Sequence, residues 1–122
     1  MSWFSCNRVI RSLAIVALAS FVTPATASAN EAVETGKTVY SQTCIACHGA
    51  NGKGAIPGVS DFSDADGPLA KSDEALIASI RDGLVTPGKP LSMPAKGGNP
   101  SLTDAQIAAV LRYLRASFSD DS

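Results

Sequence analysis

Apolar residues recur at helical spacing in three segments of this chain, and no segment shows the alternation that is typical of a strand. The first helix is predicted over about 31–43, where one face carries Val33, Gly36, Tyr40 and, just beyond, Cys44. Short extra turns are expected in the loops between the helices. The pattern therefore predicts an all-α fold with three main helices.

The second and third predicted helices carry recognisable start signals. Ser72 is a suitable N-cap for the second helix, and Gly83 is a plausible stop. The third helix begins at Thr103, which forms a capping box with Gln106. The apolar positions are Leu76, Ile77, Ile80 and Leu84 in the second helix, and Ile107, Val110, Leu111, Leu114 and Phe118 in the third. The loops 49–67 and 85–100 are too long to be simple turns, so we expect them to wrap a bound group.

The first 29 residues are typical of a targeting segment. Arg8 and Arg11 precede an apolar run over 12–22, and Ala27-Ser28-Ala29 forms an A-x-A cleavage signature. The apolar run is well short of the ~20 residues that span a bilayer. We therefore expect a secretory signal peptide over 1–29, cleaved near Ala29, and one exported domain over 30–122. A retained membrane anchor is the alternative.

The composition of the expected mature domain limits its core. Its aromatic residues are Tyr40, Phe62, Tyr113 and Phe118, and a chain this short usually needs a disulfide, a metal or another staple. The formal net charge of −1 gives no reason to expect nucleic acid as a partner.

The residues Cys44-Ile45-Ala46-Cys47-His48 form a C-x-x-C-H motif, the haem attachment signature. Two thiols at this spacing can form thioethers with the two vinyl groups of one porphyrin, and His48 can then bind the iron. A zinc site, a thioredoxin-like dithiol and a structural disulfide are the alternatives. The zinc site lacks a fourth ligand, and the dithiol lacks a βαβ context.

The second axial ligand is indicated by the small number of histidine and methionine residues in the chain. His48 is the only histidine, and Met93 is the only methionine after Met1. A thioether is a good ligand for haem iron and raises its reduction potential. Met93 is therefore the expected sixth ligand, while a vacant position, Lys89 or Lys96 stay open as alternatives.

The chain resembles the class I cytochromes c over almost all of the expected mature domain. The resemblance rests on a short helix that ends in CIACHG, a glycine-rich loop, a Met-Pro loop and a C-terminal helix. Gly36 and Tyr40 match the family's first helix pair, and Val110 and Tyr113 match the second pair. The run 93–100 is similar to the short bacterial c-five branch, although this chain lacks the extra cysteine pair that members of that branch often carry.

The resemblance implies a small cytochrome c fold around one haem c, attached through Cys44 and Cys47 and ligated by His48 and Met93. It also implies that the Pro57 carbonyl accepts a hydrogen bond from His48 Nδ1. The implied function is a periplasmic single-electron carrier rather than an enzyme, monomeric, with redox proteins as donors and acceptors and peripheral contact with membrane complexes. The alternatives are a dedicated cytochrome subunit of a larger periplasmic oxidoreductase, or a haem ligand sensor with a labile Met93.

The charges of the two loops predict a positive face beside the haem. Residues 44–60 contain Lys53 and no acidic residue, and residues 85–100 contain Lys89 and Lys96 and no acidic residue. We therefore expect attraction to an acidic patch on a partner to guide encounter.

Overall fold

The computed structural model describes residues 25–119, in which the main elements are helices joined by long loops. Its helices are α1 (Ala25–Val39), α2 (Ile45–His48), α3 (Asp73–Asp82) and α4 (Asp104–Phe118). A π turn over Tyr40–Cys44 joins α1 to α2, and two 3₁₀ turns lie at Pro68–Ala70 and Ala95–Gly98. Within 25–119 the β pairing is a single antiparallel bridge between Leu84 and Met93. The predicted all-α fold with three main helices is confirmed.

The first helix differs from its predicted bounds at both ends. It begins at Ala25, earlier than expected, because the segment ATASANEA is rich in the strongest helix former and contains no proline. At its other end the α-helical pattern changes to the π turn at Tyr40. The segment 1–24 of the expected signal peptide lies outside the described residues, so that peptide stays a prediction. Within 25–119, no helix combines the length and apolar character needed to cross a membrane.

The capping signals of α3 and α4 act as expected. Ser72 Oγ accepts a hydrogen bond from the Ala75 N–H at 3.4 Å. Thr103 and Gln106 form the complete capping box, in which the Thr103 N–H donates to the Gln106 side chain at 3.0 Å. The helix α3 ends at Asp82, and Gly83 follows with φ +84°. The expectation that Leu84 extends the helical stripe is therefore wrong, because the chain has already turned into the loop.

Helix α1 packs against α4 through Gly36. A Cβ atom at Gly36 would lie 2.0 Å from the Ala109 carbonyl oxygen and 2.8 Å from Tyr113 Cβ, so only glycine allows the two backbones to approach this closely. One turn further on, the rings of Tyr40 and Tyr113 lie with centroids 5.3 Å apart. The predicted pairing of the first and last helices is present.

Arg115 of α4 ties the Pro68–Ala70 turn and the start of α3 to the C-terminal helix. Its guanidinium group donates to the carbonyl oxygens of Leu69 and Lys71, and to Asp73 Oδ1 at 2.8 Å. The ion pair between Arg115 and Asp73 is half-exposed, so by itself it contributes little to stability. Arg115 contributes more because its guanidinium group binds three acceptors at once.

Candidate haem site

A cavity of about 530 Å³ lies between the two long loops, the π turn and helices α3 and α4. Cys44, Cys47, His48 and Met93 all line this cavity. Its apolar walls come from the core, through Leu69, Leu76, Ile80, Leu102, Val110 and Leu114. The structure thus brings together the four residues that the motif and the scarcity of ligands indicated.

The two cysteines of the motif have free thiols and are half-buried. Burial raises the pKa of Cys44 to about 11, and the neighbouring Cys47 contributes in the same direction. The Cys44 thiol is therefore protonated near neutral pH. Both thiols are free for a covalent bond, and the alternative of a structural disulfide finds no support in this arrangement.

His48 ends α2 with its imidazole half-buried. Burial lowers the pKa of His48, so the neutral ring, whose nitrogen lone pair can bind a metal, is favoured at neutral pH. Its ring stacks on Phe62, with centroids 4.6 Å apart and planes 15° from parallel. The Nδ1 atom is buried and has no hydrogen-bond partner among the described residues. Pro57 is exposed in the same loop, and the predicted bond to its carbonyl stays a prediction.

Met93 is held beside the cavity by its main chain. It forms the antiparallel bridge with Leu84, in which each N–H donates to the other carbonyl at 2.9 Å. Gly83 makes this approach possible, because a Cβ there would lie 2.8 Å from the Met93 carbonyl oxygen. The bridge fixes the backbone from which the thioether extends into the cavity.

The charges at the cavity differ from the expected positive face. Three lysines line it, Lys71, Lys89 and Lys96, and so do three aspartates, Asp61, Asp64 and Asp66. Hydrogen bonds from Ser63 lower the pKa of Asp61, which keeps that carboxylate charged. The aspartates lie on the loop 49–67 and two of the lysines on the loop 85–100. The cavity therefore carries opposite charges on its two loops.

The residues present fit a haem group. Two thiols, an imidazole and a thioether are donors suited to covalent attachment and to iron ligation. The volume is in the range of about 300–1,000 Å³ that is usual for cofactor sites, and the walls are mainly apolar. The buried, unpartnered Nδ1 of His48 is consistent with a ring whose other nitrogen serves a bound group.

Comparison with known proteins agrees with this site. Residues 31–114 match the family described as cytochrome c oxidase, cbb3-type, subunit III. Cytochrome c-555 of Chlorobaculum thiosulfatiphilum is 40% identical over 80 residues, which cover 65% of this chain and 88% of that protein. The chain belongs to the class I cytochromes c. As a member of this family it binds one haem c covalently, with its iron, and it transfers electrons.

Two further relatives of the cytochrome are parts of larger proteins. Lupanine 17-hydroxylase [cytochrome c] of Pseudomonas sp is 36% identical over 83 residues, which cover 66% of this chain and 10% of that protein. The cbb3-type cytochrome c oxidase subunit FixP of Bradyrhizobium sp. (strain ORS 278) is 33% identical over 85 residues, 66% of this chain and 29% of that protein. The chain thus spans only a small part of these two relatives.

Three features of the cytochrome's site were missed in the sequence. Phe62 stacks on the imidazole, yet a single aromatic residue in a glycine-rich loop carries no signal of its partner. Leu84 pairs with Met93 through main-chain atoms, which leave no trace in the side-chain pattern. The aspartates at the cavity lie just beyond residues 44–60 but within the same loop, so the charge of the whole loop 49–67 is the signal that indicates them.

Proposed function

We propose that this cytochrome is a free single-electron carrier of the periplasm, with haem c bound through Cys44 and Cys47 and ligated by His48 and Met93. The observation that carries the proposal is that these four side chains line one cavity of about 530 Å³. When bound, haem c supplies one reversible electron at its iron.

The residues around the site support electron transfer without substrate chemistry. Burial favours the neutral form of His48, and the Leu84 bridge fixes the backbone of Met93. If His48 and Met93 both held the iron, no ligand position would be left open for a substrate. We therefore propose a carrier rather than an enzyme, and we keep the Pro57 carbonyl as the proposed acceptor for His48 Nδ1.

The proposal includes export. The charged start, the apolar run and the A-x-A signature support a signal peptide over 1–29 and a mature domain over 30–122. The family match over 31–114 lies within that domain. Redox proteins are the proposed donors and acceptors of a monomeric carrier that contacts membrane complexes peripherally.

A second candidate function is a cytochrome subunit of a larger periplasmic oxidoreductase. It is favoured by the relatives that are named as a cbb3-type oxidase subunit and as a hydroxylase. Purification of the native protein separates the two. A free carrier elutes at the size of one chain, whereas a subunit elutes with its oxidoreductase.

The test of the proposed site is Met93→Ala in the haem-loaded protein. The variant should lower the reduction potential, because a thioether ligand raises it, and should bind carbon monoxide when reduced. Leu91→Ala is the matched control, since Leu91 lines the same cavity from the same loop. It should keep the spectrum of the unmodified protein.

Two results would contradict the proposal. If Met93→Ala keeps the original spectrum and potential, Met93 is not a ligand. If the unmodified reduced protein already binds carbon monoxide at neutral pH, Met93 detaches readily, and a ligand sensor explains the site better than a carrier.

A further inference from the structure

A hydrogen bond joins the start of the π turn, just before the C-x-x-C-H motif, to the residue after the histidine of that motif. The Tyr40 hydroxyl donates to the Gly49 carbonyl oxygen at 2.6 Å. The Tyr40 residue is only 1% exposed, so water competes little for its hydroxyl. Burial, with smaller contributions from Cys44 and Tyr113, raises the pKa of Tyr40 to about 12, and the hydroxyl therefore stays a donor at physiological pH.

A continuous α-helix would not allow this contact. Nine residues of α-helix advance about 13.5 Å along the axis, and long side chains in a helix lean back toward its N-terminus. Two local features bring the groups together. The π turn closes with a hydrogen bond from the Ile45 N–H to the Tyr40 carbonyl, and Gly49 takes φ +78°. Extra turns of the π type are frequent at functional sites.

The bond completes a set of three that hold the end of the motif. The Cys47 carbonyl accepts from the Ala55 N–H at 2.9 Å, and the His48 carbonyl accepts from the Gly54 N–H at 2.9 Å. Both donors lie on the loop 49–67. The donor to Gly49 instead is the first residue of the π turn, directly after α1, and α1 is packed tightly on α4. It links the chain beside His48 to the packed interface of α1 and α4.

We propose that the Tyr40 hydroxyl is a positioning group for the axial histidine. It fixes the peptide that follows His48 and so limits movement of the imidazole and the approach of water to the site. This inference rests on the proposed role of His48 as an iron ligand. The phenol acts on His48 through the Gly49 carbonyl, and the Tyr40 side chain also lines the cavity.

The experiment compares Tyr40→Phe with Tyr113→Phe in the haem-loaded protein. Both remove one hydroxyl from rings that lie 5.3 Å apart, but the structure assigns the bond to Gly49 only to Tyr40. The readouts are the midpoint potential and the paramagnetically shifted NMR resonances of the His48 ring in the oxidised protein.

Tyr40→Phe should shift the His48 resonances and lower the midpoint potential, because easier access of water favours the oxidised iron. Tyr113→Phe should leave both readouts unchanged. p-Aminophenylalanine at position 40 keeps a donor in the same place and should bring both readouts back toward those of the unmodified protein.

The proposal is overturned if Tyr40→Phe lowers only the thermal midpoint and leaves the potential and the His48 resonances as they were, since the bond would then serve folding alone. If Tyr40→Phe does not fold, 4-fluorophenylalanine at position 40 takes its place, because it fills the space of the hydroxyl without donating a hydrogen bond, and His48 resonances and a midpoint potential equal to those of the unmodified protein overturn the proposal. Failure of the proposed function would be seen in the unmodified protein rather than in the variants. The unmodified protein would then show no paramagnetically shifted imidazole resonances at all.

Discussion

Gly36→Ala tests the packing of the first and last helices most directly. A Cβ atom at this position would lie 2.0 Å from the Ala109 carbonyl oxygen and 2.6 Å from the Ala109 carbonyl carbon. Both atoms belong to the backbone of α4, so no side-chain rotation relieves the overlap. The helices must separate by more than about 1 Å before ordinary contact near 3.4 Å is restored.

The expected loss can be worked from two opposing effects. Alanine is favoured over glycine inside a helix by about 1 kcal/mol, so helix propensity alone predicts stabilisation. Overpacking a rigid contact costs about 3 kcal/mol in free energy of unfolding. The net loss should therefore be about 2 kcal/mol, a large fraction of the roughly 5–15 kcal/mol that stabilises a typical domain.

The assay is guanidinium unfolding of the haem-loaded protein, followed by circular dichroism. Thr35→Ala is the control, because Thr35 is exposed on the same helix, where alanine gains helix propensity without meeting α4. A Gly36→Ala variant as stable as the unmodified protein, or more stable, would refute the close approach of α1 and α4 and leave propensity as the dominant effect.

Two further predictions concern the bound group and the charges around it. The double variant Cys44→Ala, Cys47→Ala, expressed without haem attachment, should show little helix by circular dichroism, because the core surrounds a cavity of about 530 Å³. A cooperative thermal transition of this double variant would show that the chain folds without haem. At low ionic strength, Lys89→Gln should slow oxidation of the reduced protein by the anion ferricyanide and Asp64→Asn should speed it, with Lys37→Gln on α1 as the control. If Lys89→Gln and Asp64→Asn changed the oxidation rate in the same direction and by the same amount, the two loops would not carry opposite charges.

Much of the fold could be predicted from the sequence, because helices leave local signals. The periodicity of α3 and α4 and the caps at Ser72 and Thr103 depend on residues within one or two turns of each other. The C-x-x-C-H motif is equally local. Because the chain has one histidine and few methionines, its composition favoured His48 and Met93 as the ligands, with a vacant position, Lys89 and Lys96 as the alternatives to Met93.

The tertiary structure decided what depends on residues far apart in the chain. Leu84 left the predicted helix because its main chain pairs with Met93, and main-chain pairing has no side-chain signature. The predicted positive face is instead a pair of oppositely charged loops, because folding brings Asp61, Asp64 and Asp66 to the same cavity as the lysines.

The same reason applies to the surroundings of the histidine. The stacking of Phe62 on His48 and the hydrogen bond from Tyr40 to Gly49 depend on how the loop and the π turn fold back on the motif. Residue types and spacing determine which side chains are able to bind haem. The distances and directions between them arise only when packing brings the helices and the loops together.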